Sequence, residues 1–219
     1  MTAHAASVPA LHRESLIGRR GIVRSVWDLL GMPLRFAVLP DGWSRACGWT
    51  SLEEERLRAV LPWLEGRVLD VGCGPNRLVK LHPGGGVGVD VFDFGGGATI
   101  IEDTRRLPFA DASFDTVSFI ACLNHIPYRG EALLEAWRVL RPGGRLVATM
   151  INRFLGAVGH AIWWYGEHHE RGMLPGETGG LNVSEMKRLL HHAGFGAVEL
   201  RRFCYGLNGL YLARKPDRG

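Results

Sequence analysis

The stretch that most constrains this chain is Val68-Leu69-Asp70-Val71-Gly72-Cys73-Gly74-Pro75-Asn76. Residues Arg67 to Val71 are short, apolar and β-branched, the pattern of a strand covered on both faces. The run breaks at Gly72, and a short segment with helical potential, 76–81, follows. Glycine in a strand-to-helix turn admits φ > 0 and lets backbone N–H groups approach a ligand with no Cβ in the way. The next strand, Gly86-Val87-Gly88-Val89-Asp90-Val91, brings an acid, Asp90, to its end. A glycine turn followed about twenty residues later by an acid at a strand end is the geometry that holds a nucleoside. The turn takes the polar tail and the acid takes the ribose hydroxyls.

Details of the turn narrow the ligand. A dinucleotide fingerprint needs a small residue at the last position of G-x-G-x-x-G/A, for close helix–strand packing. Here the frame reads Gly72-Cys73-Gly74-Pro75-Asn76-Arg77, so Arg77 stands where a small residue belongs and a nicotinamide dinucleotide is disfavoured. No G-x-x-x-x-G-K-[ST] segment exists, which excludes a P-loop. Asp70 beside the turn suits a ligand that brings a cation, and S-adenosyl-L-methionine carries an ammonium and a sulfonium but no phosphate.

Residues 68–76 resemble motif I of the class I S-adenosylmethionine-dependent methyltransferases, of the methyltransferase type 11 kind. Three further segments are similar to that family in order and spacing: Gly88-Val89-Asp90-Val91, the run from Glu102 to Asp115 around Leu107-Pro108-Phe109, and Leu140-Arg141-Pro142-Gly143-Gly144-Arg145-Leu146. Together they cover 67–151. One departure stands in motif I, where Asn76 replaces the third glycine; Asn tolerates the left-handed region better than most residues, so the turn is expected to survive. The resemblance implies an α/β fold, a Rossmann-like doubly wound seven-stranded sheet, mostly parallel, closed by an antiparallel C-terminal hairpin. It also implies S-adenosyl-L-methionine as cofactor. Asp70, Gly72, Cys73 and Gly74 then surround the methionine moiety, and Asp90 takes the ribose hydroxyls. Val91 packs on adenine, Asp103 and Thr104 read its edge, and Ala121 offers backbone near the methionine part.

At 219 residues the chain suits one α/β domain with a sizeable core. Its net charge is +4, and the basic residues are almost all arginine, the lysines being Lys80, Lys187 and Lys215. No block of like charge marks a nucleic-acid surface, and no [DNS]-P-P-[YFW] motif follows the fourth strand, so nucleic acid is disfavoured as a partner. Cys47, Cys73, Cys122 and Cys204 form no C-x-x-C and read as free thiols in a reducing cytoplasm. No apolar run approaches the roughly twenty residues of a membrane span. The protein is expected to be cytoplasmic; its oligomeric state is not read from sequence.

Residues 1–50 are expected to form a helical cap. Apolar positions recur at helical spacing through Leu16, Ile17, Val23, Val26, Trp27, Leu29 and Leu30, then Leu34, Phe36, Val38 and Leu39. In relatives such a leader covers the mouth of the cofactor site. Two readings stand: packing of that stripe onto the domain, or contact with a membrane surface or apolar substrate through Trp27 and its flanking arginines. The catalytic domain spans 51–219. Ser51-Leu52-Glu53-Glu54 predicts a capped helix over 51–64. The pattern further predicts strands at 99–102 and 114–122, then a helix at 130–140 whose inward stripe is Leu133, Leu134, Trp137 and Leu140. A strand at 145–151, a helix at 185–192 capped by Asn182, and short strands at 197–202 and 209–214 complete the set. Between them, about 152–181, lies an insert rich in aromatic and titratable residues, suited to binding an acceptor.

Methyl transfer from a sulfonium is an in-line displacement in which alignment and exclusion of water supply much of the catalysis. A base is needed only for a poorly ionised hydroxyl or a protonated amine. His125, just beyond the fourth strand, is the candidate; its alternative role is to shape the pocket. His168 and His169 are further candidates, and no metal is expected, since adjacent histidines point apart on regular structure. The reading is a methyltransferase acting on oxygen, nitrogen or carbon of a small-molecule acceptor. The alternatives are an S-adenosylmethionine-binding regulator or partner without transfer activity, and an RNA or DNA methyltransferase.

Overall fold

Seven strands form one sheet in the order β3-β2-β1-β4-β5-β7-β6. The computed structural model describes residues 21–32, 41–151, 153 and 175–217. The strands are β1 (Val68–Val71), β2 (Gly86–Asp90), β3 (Thr99–Ile100), β4 (Phe114–Ile120), β5 (Leu140–Ile151), β6 (Glu199–Phe203) and β7 (Asn208–Arg214). The first five run parallel, while β7 pairs antiparallel with both β5 and β6. Every residue of β1 is buried, as expected of a central strand covered on both faces. The expected sheet, including its closing hairpin, is the one observed.

Helices cover both faces. They are α1 (Ile22–Leu30), α2 (Asp41–Ala46), α3 (Leu52–Val60, continued by a 3₁₀ turn at Leu61–Trp63), α4 (Arg77–Leu81), α5 (Arg129–Val139) and α6 (Val183–His192). Strand alternation divides the core in two. Val68 and Val147 join Leu57, Val60, Leu61, Leu78 and Leu81 beneath α3 and α4. Leu69, Val71, Leu146 and Ala148 join Leu133, Val139, Met186 and Leu190 beneath α5 and α6. The helix starts follow their sequence signals. Ser51 Oγ accepts from the Glu54 N–H while the Glu54 carboxylate accepts from the Ser51 N–H, each at 3.2 Å. At α6 the Glu185 carboxylate accepts from the Asn182 N–H at 2.8 Å. The C-terminus of α5 is closed by Lys215, whose Nζ donates to the carbonyls of Trp137 (2.8 Å) and Leu140 (2.7 Å).

The inward stripe of α5 differs from expectation. Ala132, Leu133, Ala136 and Val139 are buried, whereas Leu134 is 53% exposed. Leu140 has left the helix to pair with Phe114 in the sheet, and the buried residues of α5 centre on Ala136. At 100° per residue Leu133 lies about 60° round the helix from Ala136 and Leu134 about 160°. Strand β4 also stops two residues early, because Ala121 turns to φ +54. The β4–β5 register slips between Phe114 and Thr116, which absorbs the Pro142-Gly143-Gly144 turn as a bulge.

Most of the leader and of the insert, with His168 and His169, lies outside the described residues. Where the leader is described, its apolar stripe is not buried on the domain: in α1 only Asp28 is buried, and Trp27 alone of the stripe has a ring contact, with Trp49.

Candidate functional site

Strand order reverses between β1 and β4, and in open α/β sheets ligands bind beyond the carboxyl ends of the strands at that point. The glycine turn leaves β1 there. Gly72 sits at φ +68, and a Cβ on it would come within 2.7 Å of the Cβ of Cys122, just past β4. Asn76 adopts φ 57, ψ 34, the left-handed conformation expected of it in place of glycine. Its Nδ2 donates to the Gly97 carbonyl at 3.2 Å. Its amide occupies the space over Gly88, where an added Cβ would lie 2.2 Å from Asn76 Oδ1. The larger residue in the turn is thus accommodated by a missing side chain on the next strand.

The turn's N–H groups are already engaged. Gly72 and Cys73 both donate to the Val89 carbonyl, at 2.9 and 3.1 Å. Gly74 donates to Asp90 Oδ2 at 2.8 Å, and Phe92 N donates to Asp90 Oδ1 at 3.2 Å. No open cradle of donors remains in Gly72–Gly74 for a phosphate. The Asp90 carboxylate, held rigidly by backbone, keeps lone pairs for further donors.

Beside the turn is a cavity of about 160 Å³ lined by Asp70, Gly72, Cys73 and Gly74 together with Glu53, Arg56 and Arg77. It is smaller than the roughly 300 Å³ at which sites for whole small molecules begin, so it fits one end of an elongated ligand. Asp70 is 2% exposed and accepts from Ser118 Oγ at 2.7 Å. Burial pushes its carboxyl up to about 7, against the Ser118 hydrogen bond that lowers it, with nearby Asp90 adding to the rise. A cationic group here would restore the ionised form. Burial, then Asp70 and Asp90, pushes the Cys73 thiol up to about 12, and Cys122 rises well above its ordinary value for the same reasons. Neither is a thiolate at neutral pH, so neither serves as a nucleophile.

Of the residues expected from sequence, Asp70, Gly72, Cys73 and Gly74 line this cavity, and Asp90 joins them through Gly74. Val91, 60% exposed, follows Asp90 and presents an apolar surface beside the turn. Asp103 and Thr104 follow β3, but the Asp103 carboxylate is occupied within its own loop. It accepts from Arg105 N at 2.8 Å and Arg105 Nε at 2.5 Å, and those bonds hold its pKa below the usual range. The Arg105 guanidinium lies 4.2 Å from the Tyr128 ring centre. Ala121 N donates to the Thr149 carbonyl, so its conformation is fixed by β5. Beyond it, His125 Nε2 lies 2.8 Å from Asn124 Nδ2, and that contact orients the imidazole. With Asn124 as donor the Nε2 lone pair is occupied, so a proton-accepting role at that atom requires Asn124 to rotate. Among the described residues no group of three His, Cys, Asp or Glu is arranged to hold a metal ion.

The sequence reading missed Glu53, Arg56 and Arg77 as cavity residues. Arg77 and Glu53 form an ion pair between α4 and α3. The available signal was local: Arg77 follows the turn directly, and Glu53 and Arg56 lie one helical turn apart on the helix leading into β1.

A family model described as a methyltransferase domain matches residues 69–148. The chain is 30% identical over 183 residues to a demethylmenaquinone methyltransferase of Beutenbergia cavernae, covering 68% of this chain and 73% of that one. It is 30% identical over 152 residues to the O-methyltransferase rstn1 of Aspergillus nomiae, covering 61% of this chain and 65%, just under two thirds, of that one. The crystal structure of an S-adenosylmethionine-dependent methyltransferase of Thermotoga maritima, described as a possible histamine N-methyltransferase, superposes with a TM-score of 0.58. It covers 74% of this chain and 88% of that one at 22% identity, a likeness of fold. With this strand order, the motif I turn and relatives matched over most of their length, the chain belongs to the class I S-adenosylmethionine-dependent methyltransferases.

Proposed function

We propose that this protein transfers the methyl group of S-adenosylmethionine to a small-molecule acceptor at the crevice beyond β1 and β4. The observation that carries this reading is the charge pattern of the cavity. A buried carboxylate raised toward neutrality, Asp70, lines it together with Arg56 and with Arg77, whose guanidinium also pairs with Glu53, and the adjoining turn has no free donors for phosphate. An α-amino acid end has the matching charges, its ammonium for Asp70 and its carboxylate for the arginines. Asp90 would hold the ribose hydroxyls, Val91 would cover one face of adenine, and Ala121 would contribute backbone near the methionine part. Asp103 and Thr104 would read the adenine edge once Asp103 exchanges its Arg105 contacts. When bound, the cofactor supplies an electrophilic methyl group on an excellent leaving group. The chain's own work is then to align the acceptor and exclude water.

The two curated relatives described above are an O-methyltransferase and a demethylmenaquinone methyltransferase, which supports a small-molecule acceptor for this chain as well. The N-terminal segment 1–50 would cap the site and the insert at about 152–181 would bind the acceptor. His125, with His168 and His169 from that insert, would contribute a base or shape the pocket. Calorimetry with S-adenosylmethionine tests the cofactor half. Asp90→Ala is expected to weaken binding roughly tenfold or more, since it removes a charge-assisted bond to the ribose. Equal affinity in the two proteins removes the ribose assignment, and no affinity in the wild type removes the function. Incubation with tritium-labelled cofactor and a panel of phenols, quinols and amines tests transfer, which is expected to label at least one acceptor.

A further inference from the structure

Helix α1 is inverted relative to an ordinary surface helix. Such a helix buries an apolar stripe and exposes its charges. In α1 the only buried residue is an aspartate. Asp28 Oδ1 accepts from Thr50 N and Oδ2 from Thr50 Oγ1, both at 2.8 Å, and Arg24 Nε lies 3.6 Å away. Two further bonds tie the helix down by polar atoms: Trp27 Nε1 donates to the Cys47 carbonyl, and the Tyr205 hydroxyl donates to the Ser25 carbonyl. Trp27 also sets its ring 6.0 Å from that of Trp49, but most of the apolar surface of the helix is turned outward. Ile22 and Val23 are more than 80% exposed, Leu30 is 69% exposed, and Val26, Trp27 and Leu29 are each about half exposed. At 100° per residue these six fall within an arc of about 160°, with Arg24, Ser25 and Asp28 opposite.

The segment that carries this stripe is one-sided in charge. The first 50 residues hold six arginines (Arg13, Arg19, Arg20, Arg24, Arg35 and Arg45) against Glu14, Asp28 and Asp41, a net of +3. The remaining 169 residues hold twenty basic against nineteen acidic groups, so most of the chain's net charge of +4 belongs to this segment. The one carboxylate on α1 is buried and bonded, which leaves no exposed negative charge on that helix. Trp43 on α2 and Tyr205 beside Ser25 add exposed aromatic surface nearby. An apolar face that carries tryptophan, on a short helix within a segment of arginine excess, has the properties that seat a helix at the boundary of headgroups and acyl chains.

We infer that the outward face of α1 docks on an anionic lipid bilayer, with Asp28 holding the helix to the domain from behind. The anchor is adjacent to the site: Thr50 precedes Ser51, the cap of α3, and α3 supplies Glu53, Arg56 and Leu57 to the cavity. Docking by this face places the crevice at the membrane surface, where an acceptor dissolved in lipid can reach it. The inference rests on the proposed function only for that last consequence.

Vesicle flotation of the full-length protein tests the docking. Vesicles of phosphatidylcholine with about one third phosphatidylglycerol are expected to carry the protein up, and phosphatidylcholine alone to carry much less. Raising sodium chloride from about 0.1 to about 0.5 M is expected to weaken binding. The double variant Val23→Ser/Leu30→Ser is expected to partition at least tenfold less, with unchanged calorimetric affinity for S-adenosylmethionine as evidence of folding. Wild-type protein that stays at the bottom with anionic vesicles overturns the inference without any variant. Equal flotation of the variant overturns it too, as does a wild-type dimer that the variant converts to monomer, which assigns the face to a second copy. Loss of cofactor binding in the wild type would sink the methyltransferase reading and leave the vesicle result standing.

Discussion

The crevice at β1 and β4 and the helix α1 are held by opposite means. Around the crevice, apolar burial on both faces of the sheet fixes β1 and β4, and the polar groups of the turn follow from that rigid frame. Gly72, Cys73 and Gly74 have their N–H groups committed to β2, and Asp70 is buried with one hydroxyl partner. In α1 the order is reversed: a buried carboxylate and a few hydrogen bonds fix the helix, and most of the apolar surface stays exposed. Burial of apolar surface is cooperative across a core, whereas a hydrogen-bonded anchor acts locally. The crevice should therefore resist perturbation until the whole domain unfolds, and α1 should open by itself.

The largest effect that could break this contrast is in the core. Leu133→Ala is expected to destabilise the domain by about 3 kcal/mol in chemical denaturation, while Leu134→Ser, on the exposed side of the same helix, should stay within about 0.5 kcal/mol. Similar losses at both positions would overturn the inward direction assigned to α5. Next is Asp70→Asn, expected to raise the S-adenosylmethionine dissociation constant roughly a hundredfold. Its stability effect has the opposite sign. A carboxyl raised from an ordinary 3.8 to about 7 makes the folded state bind more protons than the unfolded chain between those values. Stability of the unliganded wild type thus falls as pH rises from about 4 to about 7 and stays lower above. Asp70→Asn should then stabilise the empty protein at pH 8 by roughly 2–4 kcal/mol, read from denaturation midpoints. Cofactor affinity of the wild type should rise with pH through the same window, since a cation favours the ionised form. A pH-independent affinity would remove Asp70 from the ammonium site. The smallest global effect is expected for Asp28→Ala. Amide exchange over 22–30 should accelerate at least tenfold while the global unfolding free energy moves by less than about 1 kcal/mol. A global loss of about 3 kcal/mol would show that α1 belongs to the core after all.

Much of this was legible from local pattern. The β1–turn–α4 unit, the acid ending β2, the αL asparagine and both capping boxes follow from residue types at fixed spacing, because backbone conformation and short-range hydrogen bonds are set within a few residues. The motifs also identify the family and hence the sheet order, confirmed strand by strand. What spacing cannot supply is direction. Leu133 and Leu134 both keep apolar helical spacing with Trp137 in the sequence, and only the side on which α5 meets the sheet and α6 turns Leu133 inward and leaves Leu134 out. Arg56 and Glu53 become cavity residues because α3 packs against β1, a contact between segments more than ten positions apart. The apolar stripe of α1 reads in sequence either as one to be buried on the domain or as one to meet a membrane or an apolar substrate; the structure presents it outward, with Thr50 offering Asp28 two donors on the opposite side. Sequence determines which surfaces of an element are apolar, and tertiary contacts decide which of those surfaces meet protein, since that choice depends on partners brought together only by the completed chain.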